Sequence, residues 1–110
     1  IADGSGSFVE LSMLNFSELS YKLERWEDAY GGYSSLYASA RFENNRLTAM
    51  TGMMRSAFKG RMWAEALKNA DKVLFDSRMD DAVKREAEYI KAKSYMATSR
   101  RAEALSIMEG

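Results

Sequence analysis

Cysteine, histidine and proline are all missing from this chain of 110 residues. Without cysteine there are no disulfides and no thiolate metal sites. Without histidine the usual general base, zinc ligand and pH switch go together. Without proline, and with only seven glycines, little interrupts a helix, which favours an all-α fold. No apolar run reaches the roughly 18 residues that a membrane span needs, so direct membrane insertion is not expected. Charge of one sign is also lacking. Lys+Arg and Asp+Glu number 16 each, and this balance argues against a nucleic-acid binder, which carries a basic excess. Nothing resembles a nucleophile beside its base, and no Gly-rich phosphate loop is present. The expectation is a protein that is no enzyme and holds no cofactor and no metal.

What is present is enough for one domain: 46% hydrophobic and 29% charged residues, well above the disordered range. The opening "IADGSGS" lacks the basic and apolar regions of a signal peptide. It reads as a flexible linker over residues 1–7, and the absence of an initial Met suggests a fragment of a longer chain. Ser7 and Glu10 have capping-box spacing. Val9, Met13, Phe16, Leu19, Leu23 and Trp26 then recur every three or four residues, which predicts a first helix over about 8–23. A second is expected over 26–39. Gly31-Gly32 lies inside it, where the unbroken apolar period suggests a close helix approach rather than a break. The third covers about 46–59, with Asn44 or Asn45 as N-cap and Gly60 as C-cap. The fourth covers about 63–75. "DSRMDD" is a loop ending in an Asp N-cap. A fifth helix over about 81–98, a turn at "TSR" and a sixth helix from Arg101 complete the expectation.

Three similar stretches punctuate the chain: "YKLERWEDAY" (21–30), "FKGRMWAEAL" (58–67) and "MATSRRAEAL" (96–105). Ala29 and Ala66 are 37 residues apart, and Ala66 and Ala104 are 38 apart. That period, with two helices per unit, is the pattern of a helical solenoid whose hairpins bury their faces by stacking. The expected units run over about 8–40, 44–78 and 81–110.

These stretches, above all "EAEYIKAKSYMATSRRAEAL", resemble the tetratricopeptide repeat family. Ala92 holds the small position where paired helices cross, with Tyr95 the aromatic three residues on and Ala104 the small residue where the second helix approaches. Trp63 with Ala66, and Trp26 with Ala29, carry the resemblance in the other copies. The family's proline is missing, Arg101 replaces the third aromatic, and Ser17 is the only small crossing residue in the first copy. In style the chain is similar to envelope-associated members from Gram-negative bacteria, which implies a periplasmic or cell-envelope setting. The resemblance implies a right-handed solenoid of about three repeats and six helices, acting as a scaffold that takes a peptide or partner protein in a concave groove.

Carried over by position, the groove residues are Leu14, Glu18 and Tyr21 from the first hairpin, Thr51, Arg55 and Phe58 from the second, and Tyr89, Lys93 and Met96 from the third. Arg55 and Lys93 are expected at equivalent depths, which suggests an acidic ligand. No Asn stands at these positions, so a carboxylate clamp is not expected. The competing expectation is a spacer in a longer array, in which Arg55 and Lys93 pair with acidic neighbours; an accessory module of a larger protein is a third. Leu105 and Met108 are expected to need cover from further repeats or a homodimer contact. Asp76, Asp80 and Asp81 read as capping groups rather than a calcium loop, which would need the EF-hand spacing.

Overall fold

The computed structural model describes the backbone of residues 2–109 and the side chains of residues 8–99. Among the described residues the chain is all-α, with five helices and no strand. They are α1 (Ala2–Lys22), α2 (Trp26–Ser39), α3 (Glu43–Lys59), α4 (Trp63–Phe75) and α5 (Asp81–Glu109). Each helix packs on the next, and α3 also touches both α1 and α5.

The turns that join α1 to α2 and α3 to α4 are the same structure, 37 residues apart. Glu24 and Arg61 adopt left-handed backbone, with φ of 59° and 61°. The Glu24 N–H bonds the Tyr21 carbonyl at 3.0 Å, and the Arg25 N–H bonds Ser20 O at 2.9 Å. The Arg61 N–H bonds Phe58 O at 3.1 Å, and the Met62 N–H bonds Ala57 O at 2.8 Å. This is the Schellman pattern, which satisfies the last carbonyls of a helix. A non-glycine residue pays a conformational cost for left-handed backbone, and here an aromatic staple accompanies it. Tyr21 meets Trp26 edge-on at 5.0 Å between ring centroids, and Phe58 meets Trp63 at 5.9 Å. Gly60 is the C-cap of α3 as expected, and the left-handed backbone falls on the residue after it, Arg61. Gly60 has an ordinary φ of −82°; it is small because a Cβ there would stand 2.8 Å from Trp26 Cβ.

The third copy does not turn. α5 runs unbroken through "TSR", so the expected turn and sixth helix are replaced by one 29-residue helix. The staple positions are Met96 and Arg101 there, and Ser99 stands where Arg61 takes the left-handed backbone. Thr98 also fits a continuing helix, since its hydroxyl donates to the carbonyls of Ser94 and Tyr95 at 3.1 and 3.0 Å.

Ala29 and Ala66 are fully buried, as the repeated acid-Ala pair requires. Ala92 is not: it is exposed, and the buried seam of α5 runs through Ala87, Ile90 and Ser94. The main core gathers Met50, Met54 and Ala57 of α3, Ala66, Ala70 and Val73 of α4, and Ala87 and Ile90 of α5. A second cluster joins Ala29 and Tyr33 of α2 to Met53 of α3. The close approach expected at Gly31-Gly32 holds for one glycine. A Cβ on Gly32 would overlap Ser17 and lie 3.0 Å from the Phe16 ring, whereas Gly31 has open space.

α1 departs most from its sequence pattern. It begins at Ala2, so its backbone is helical through Ser7, and Glu10 sits inside the helix instead of in a capping box. The Ser7 side chain lies outside the described residues. Glu10 is buried and reaches across to α3, accepting from the Arg41 N–H at 3.0 Å and the Asn45 amide at 2.8 Å. These bonds hold its carboxyl below the usual range and fix the start of α3, whose flanking residue Phe42 offers no side-chain cap. The expected inner stripe of Val9, Phe16, Leu19 and Leu23 is exposed, and Ser17 and Ser20 are buried in its place.

Candidate functional site

Because α1 and α5 both lie against α3, they stand as walls on either side of it. The space between them is a groove of about 1100 Å³. From α1 it is lined by Asn15, Glu18, Leu19, Tyr21 and Lys22, and from α3 by Asn44, Leu47, Thr48, Thr51, Gly52 and Arg55. The loop before α5 and its first turns supply Arg78, Met79, Asp80, Val83 and Glu86. Tyr33 of α2 reaches the floor beside Gly52, where a Cβ would stand 2.5 Å from its ring. This glycine opens the floor to the tyrosine.

Four of the nine residues named from the sequence line this groove: Glu18, Tyr21, Thr51 and Arg55. Thr51 donates to the Leu47 carbonyl at 3.1 Å. Burial pushes the Tyr21 and Tyr33 hydroxyls above the usual tyrosine range, so both stay neutral hydrogen-bonding groups at neutral pH. Arg55 is engaged. Its Nε and Nη2 donate to the two Glu86 oxygens, each at 2.7 Å, and the bond to Glu86 raises the guanidinium pKa further.

The other five fall outside the groove. Leu14 is half-buried against the α2–α3 cluster. Phe58 packs on the main core and meets the Tyr89 ring edge-on at 6.3 Å. The Lys93 ammonium sits over that Tyr89 ring at 5.7 Å, and Met96 is exposed farther along α5. Arg55 and Lys93 are not level with each other. α3 meets α5 through pairs such as Arg55–Glu86, and Lys93 lies two helical turns beyond that contact. The equivalent position along the chain is thus not the adjacent position in space.

The polar lining was not visible in the sequence reading, because Asn15, Asn44, Lys22 and Arg78 are ordinary solvent-facing residues until α1 and the α5 turn are set around α3. The charges cancel, three against three: Lys22, Arg55 and Arg78 face Glu18, Asp80 and Glu86. Arg78 is bound to Asp76, with Nη2 to Oδ2 at 2.8 Å, and this holds the Asp76 carboxyl at about 2. Asp80 accepts from the Ala82 N–H at 3.0 Å and so caps α5 as expected. No acidic cluster suited to a metal occurs among the described residues, and none of their helices is long and apolar enough to cross a membrane. Comparison with family models, with curated proteins and with solved structures finds no match to this chain.

Proposed function

We propose that this chain is a non-catalytic scaffold of the tetratricopeptide-like kind, whose α1–α3–α5 groove takes a segment of another protein. The observation that carries this reading is the groove itself, roughly the size of a large ligand pocket. Neutral tyrosines and amides on its surface can bond a peptide backbone whatever its charge. The 37-residue repetition of turn, staple and buried alanine supports the stacked-hairpin architecture that such a groove needs. With Arg55 held by Glu86 and the lining charges balanced, a segment of mixed polarity fits better than the acidic one expected from the sequence.

The test is selection from a displayed peptide library, with Thr48→Trp as counter-bait. Thr48 is exposed on the groove floor, so the indole fills the groove without entering the core. Selected peptides should bind the native chain and lose at least about tenfold on the variant, a loss of about 1.4 kcal/mol, with helix content unchanged. Peptides held equally by both would move the interface elsewhere, and a failed selection would favour a spacer. One observation supports half of that second reading: Arg55 pairs with an acidic neighbour on its own surface, whereas Lys93 sits over the Tyr89 ring.

A further inference from the structure

α1 carries an apolar stripe that α2 and α3 touch only at its edges, Phe16 beside Gly32 and Leu19 at the rim of the groove. Phe16, Leu19 and Leu23 are each more than half exposed, at 54%, 56% and 56%. Phe8 extends the line at 71%, and Ser12 is exposed within it. The 37-residue equivalence says what such a stripe is for. Ser12, Phe16, Leu19 and Leu23 correspond to Ala49, Met53, Ser56 and Gly60 of α3. On α3 these positions face α2: Met53 clusters with Ala29 and Tyr33, and Gly60 lies against Trp26. Ala49 and Ser56 are fully buried. The face that α3 covers with α2 is thus the face that α1 leaves open, and its bulkier side chains leave more apolar surface to cover.

The chain also contains a sequence of the type that does the covering. Residues 102–105 read "AEAL", identical to residues 64–67 at the start of α4, which is the 37-residue equivalent of α2. Leu105 then corresponds to Leu67 and Tyr30. Tyr30 and Tyr37 are α2 residues packed against the main core of the next hairpin. Charge agrees with this placement. Trp26 of α2 meets the C-terminal end of α3, and its equivalent in the third copy is Arg101. A segment seated on α1 in the same way brings Arg101, with Arg100 beside it, to the C-terminal end of α1. Glu24, Glu27 and Asp28 are exposed there.

We infer that the α1 stripe is an association face that takes residues 101–109 of a second copy of this chain, seated on α1 as α2 is seated on α3. The contact is heterologous: each copy offers a stripe at one end and a covering segment at the other. It shares only Leu19 with the lining of the peptide groove and does not depend on that reading.

Light scattering and sedimentation over a range of concentrations test this on the 110-residue chain. The native protein should show a mass rising above the 12.5 kDa of one chain as concentration increases. Leu23→Glu, which removes the stripe, and Leu105→Glu, which removes the segment, should each be monomeric. An equimolar mixture of the two should form a one-to-one pair, because one intact stripe and one intact segment remain. Arg101→Glu should weaken association severalfold and flatten its salt dependence. Thr48→Trp should leave it unchanged. Circular dichroism confirms folding, and Phe16→Gln and Met108→Gln replace either variant that fails to fold. A native chain that stays monomeric to about millimolar concentration, where even a weak contact would register, overturns the inference. So does association that survives Leu23→Glu, or a mixture of the two variants that stays monomeric. Association lost in Leu23→Glu but kept in Leu105→Glu means that two α1 stripes meet each other, and also overturns it.

Discussion

Residues 57–63 and residues 95–101 occupy equivalent places in the repeat, yet one turns a corner and the other runs straight. At the first, Phe58 and Trp63 close edge-on over a left-handed Arg61, and two backbone bonds finish the helix. At the second, Met96 and Arg101 stand at the staple positions and the backbone stays helical. The first hairpin has the staple, Tyr21 with Trp26, and it turns. The difference teaches that the repeated acid-Ala pair does not make the turn. It marks where a second helix will pack once an aromatic pair has stabilised the strained residue between them.

The strongest way to break the comparison is to remove the staple where it exists. Trp63→Ala deletes the ring that meets Phe58, and Trp63 is half-buried. The expected loss is roughly 3 kcal/mol, the low end for a large aromatic, read from denaturant unfolding. A loss under about 0.5 kcal/mol, the scale of an ordinary surface change, would show that the turn stands without it.

The converse is to install the turn. Met96→Phe, Ser99→Gly and Arg101→Trp together supply the staple and a residue free to adopt left-handed backbone. The chain has no cysteine of its own, so cysteines placed at Arg85 and Ile107 carry spin labels cleanly. A straight α5 separates these positions by about 33 Å along the helix axis. In the triple variant the distance should shorten markedly, as residues 101–109 fold back. An unchanged distance would mean that something else keeps α5 straight.

A smaller effect sharpens why the first half of α5 is fixed in place. Arg55 and Glu86 tie α3 to α5 in a bidentate pair, with side chains 42% and 33% exposed. A double-mutant cycle with Arg55→Gln and Glu86→Gln should give a coupling of only about 0.5–1 kcal/mol, since solvent screens a pair this open. The smallest effect is at Asp76, in the loop that feeds α5. Its folded carboxyl titrates at about 2 against an ordinary 3.8, so the folded state favours the charged form. Its stabilisation is complete above the unfolded value and is lost as pH falls through about 2. Asp76→Asn should therefore reduce stability at neutral pH and converge with the native chain near pH 2. A gap between the two that stays constant with pH would count against this assignment.

Much of this fold was legible in the sequence because it is local. The second helix has the expected limits, the buried Ala29 and Ala66 mark the period, and Gly32 signals its close neighbour. Three things were not. Hydrophobic period cannot tell a face packed within the chain from one that waits for a partner, so the α1 stripe read as core. An inward carboxylate such as Glu10 has no local signal, because its partners Arg41 and Asn45 are about 30 residues away. The turn expected at the polar "TSR" does not form, because that stretch lacks the aromatic staple of the other two copies. The groove was legible only in part for the same reason. Glu18, Tyr21, Thr51 and Arg55, carried over by position from the resemblance, do line it. α5 meets α3 through the buried Ala87 and Ile90 and the Arg55–Glu86 pair near its start, and this leaves Lys93 and Met96 past the groove.

Site-specific photocrosslinking in lysate of the source cell tests the central claim most directly. A photoreactive phenylalanine analogue replaces Thr48 on the groove floor in one sample. In the other it replaces Phe75, which is 86% exposed at the end of α4, outside the groove. The groove account predicts a discrete protein adduct at position 48, competed away by a peptide selected on the native groove, and no such adduct at position 75. Equal labelling at both positions, or a discrete adduct at 75 alone, would contradict it.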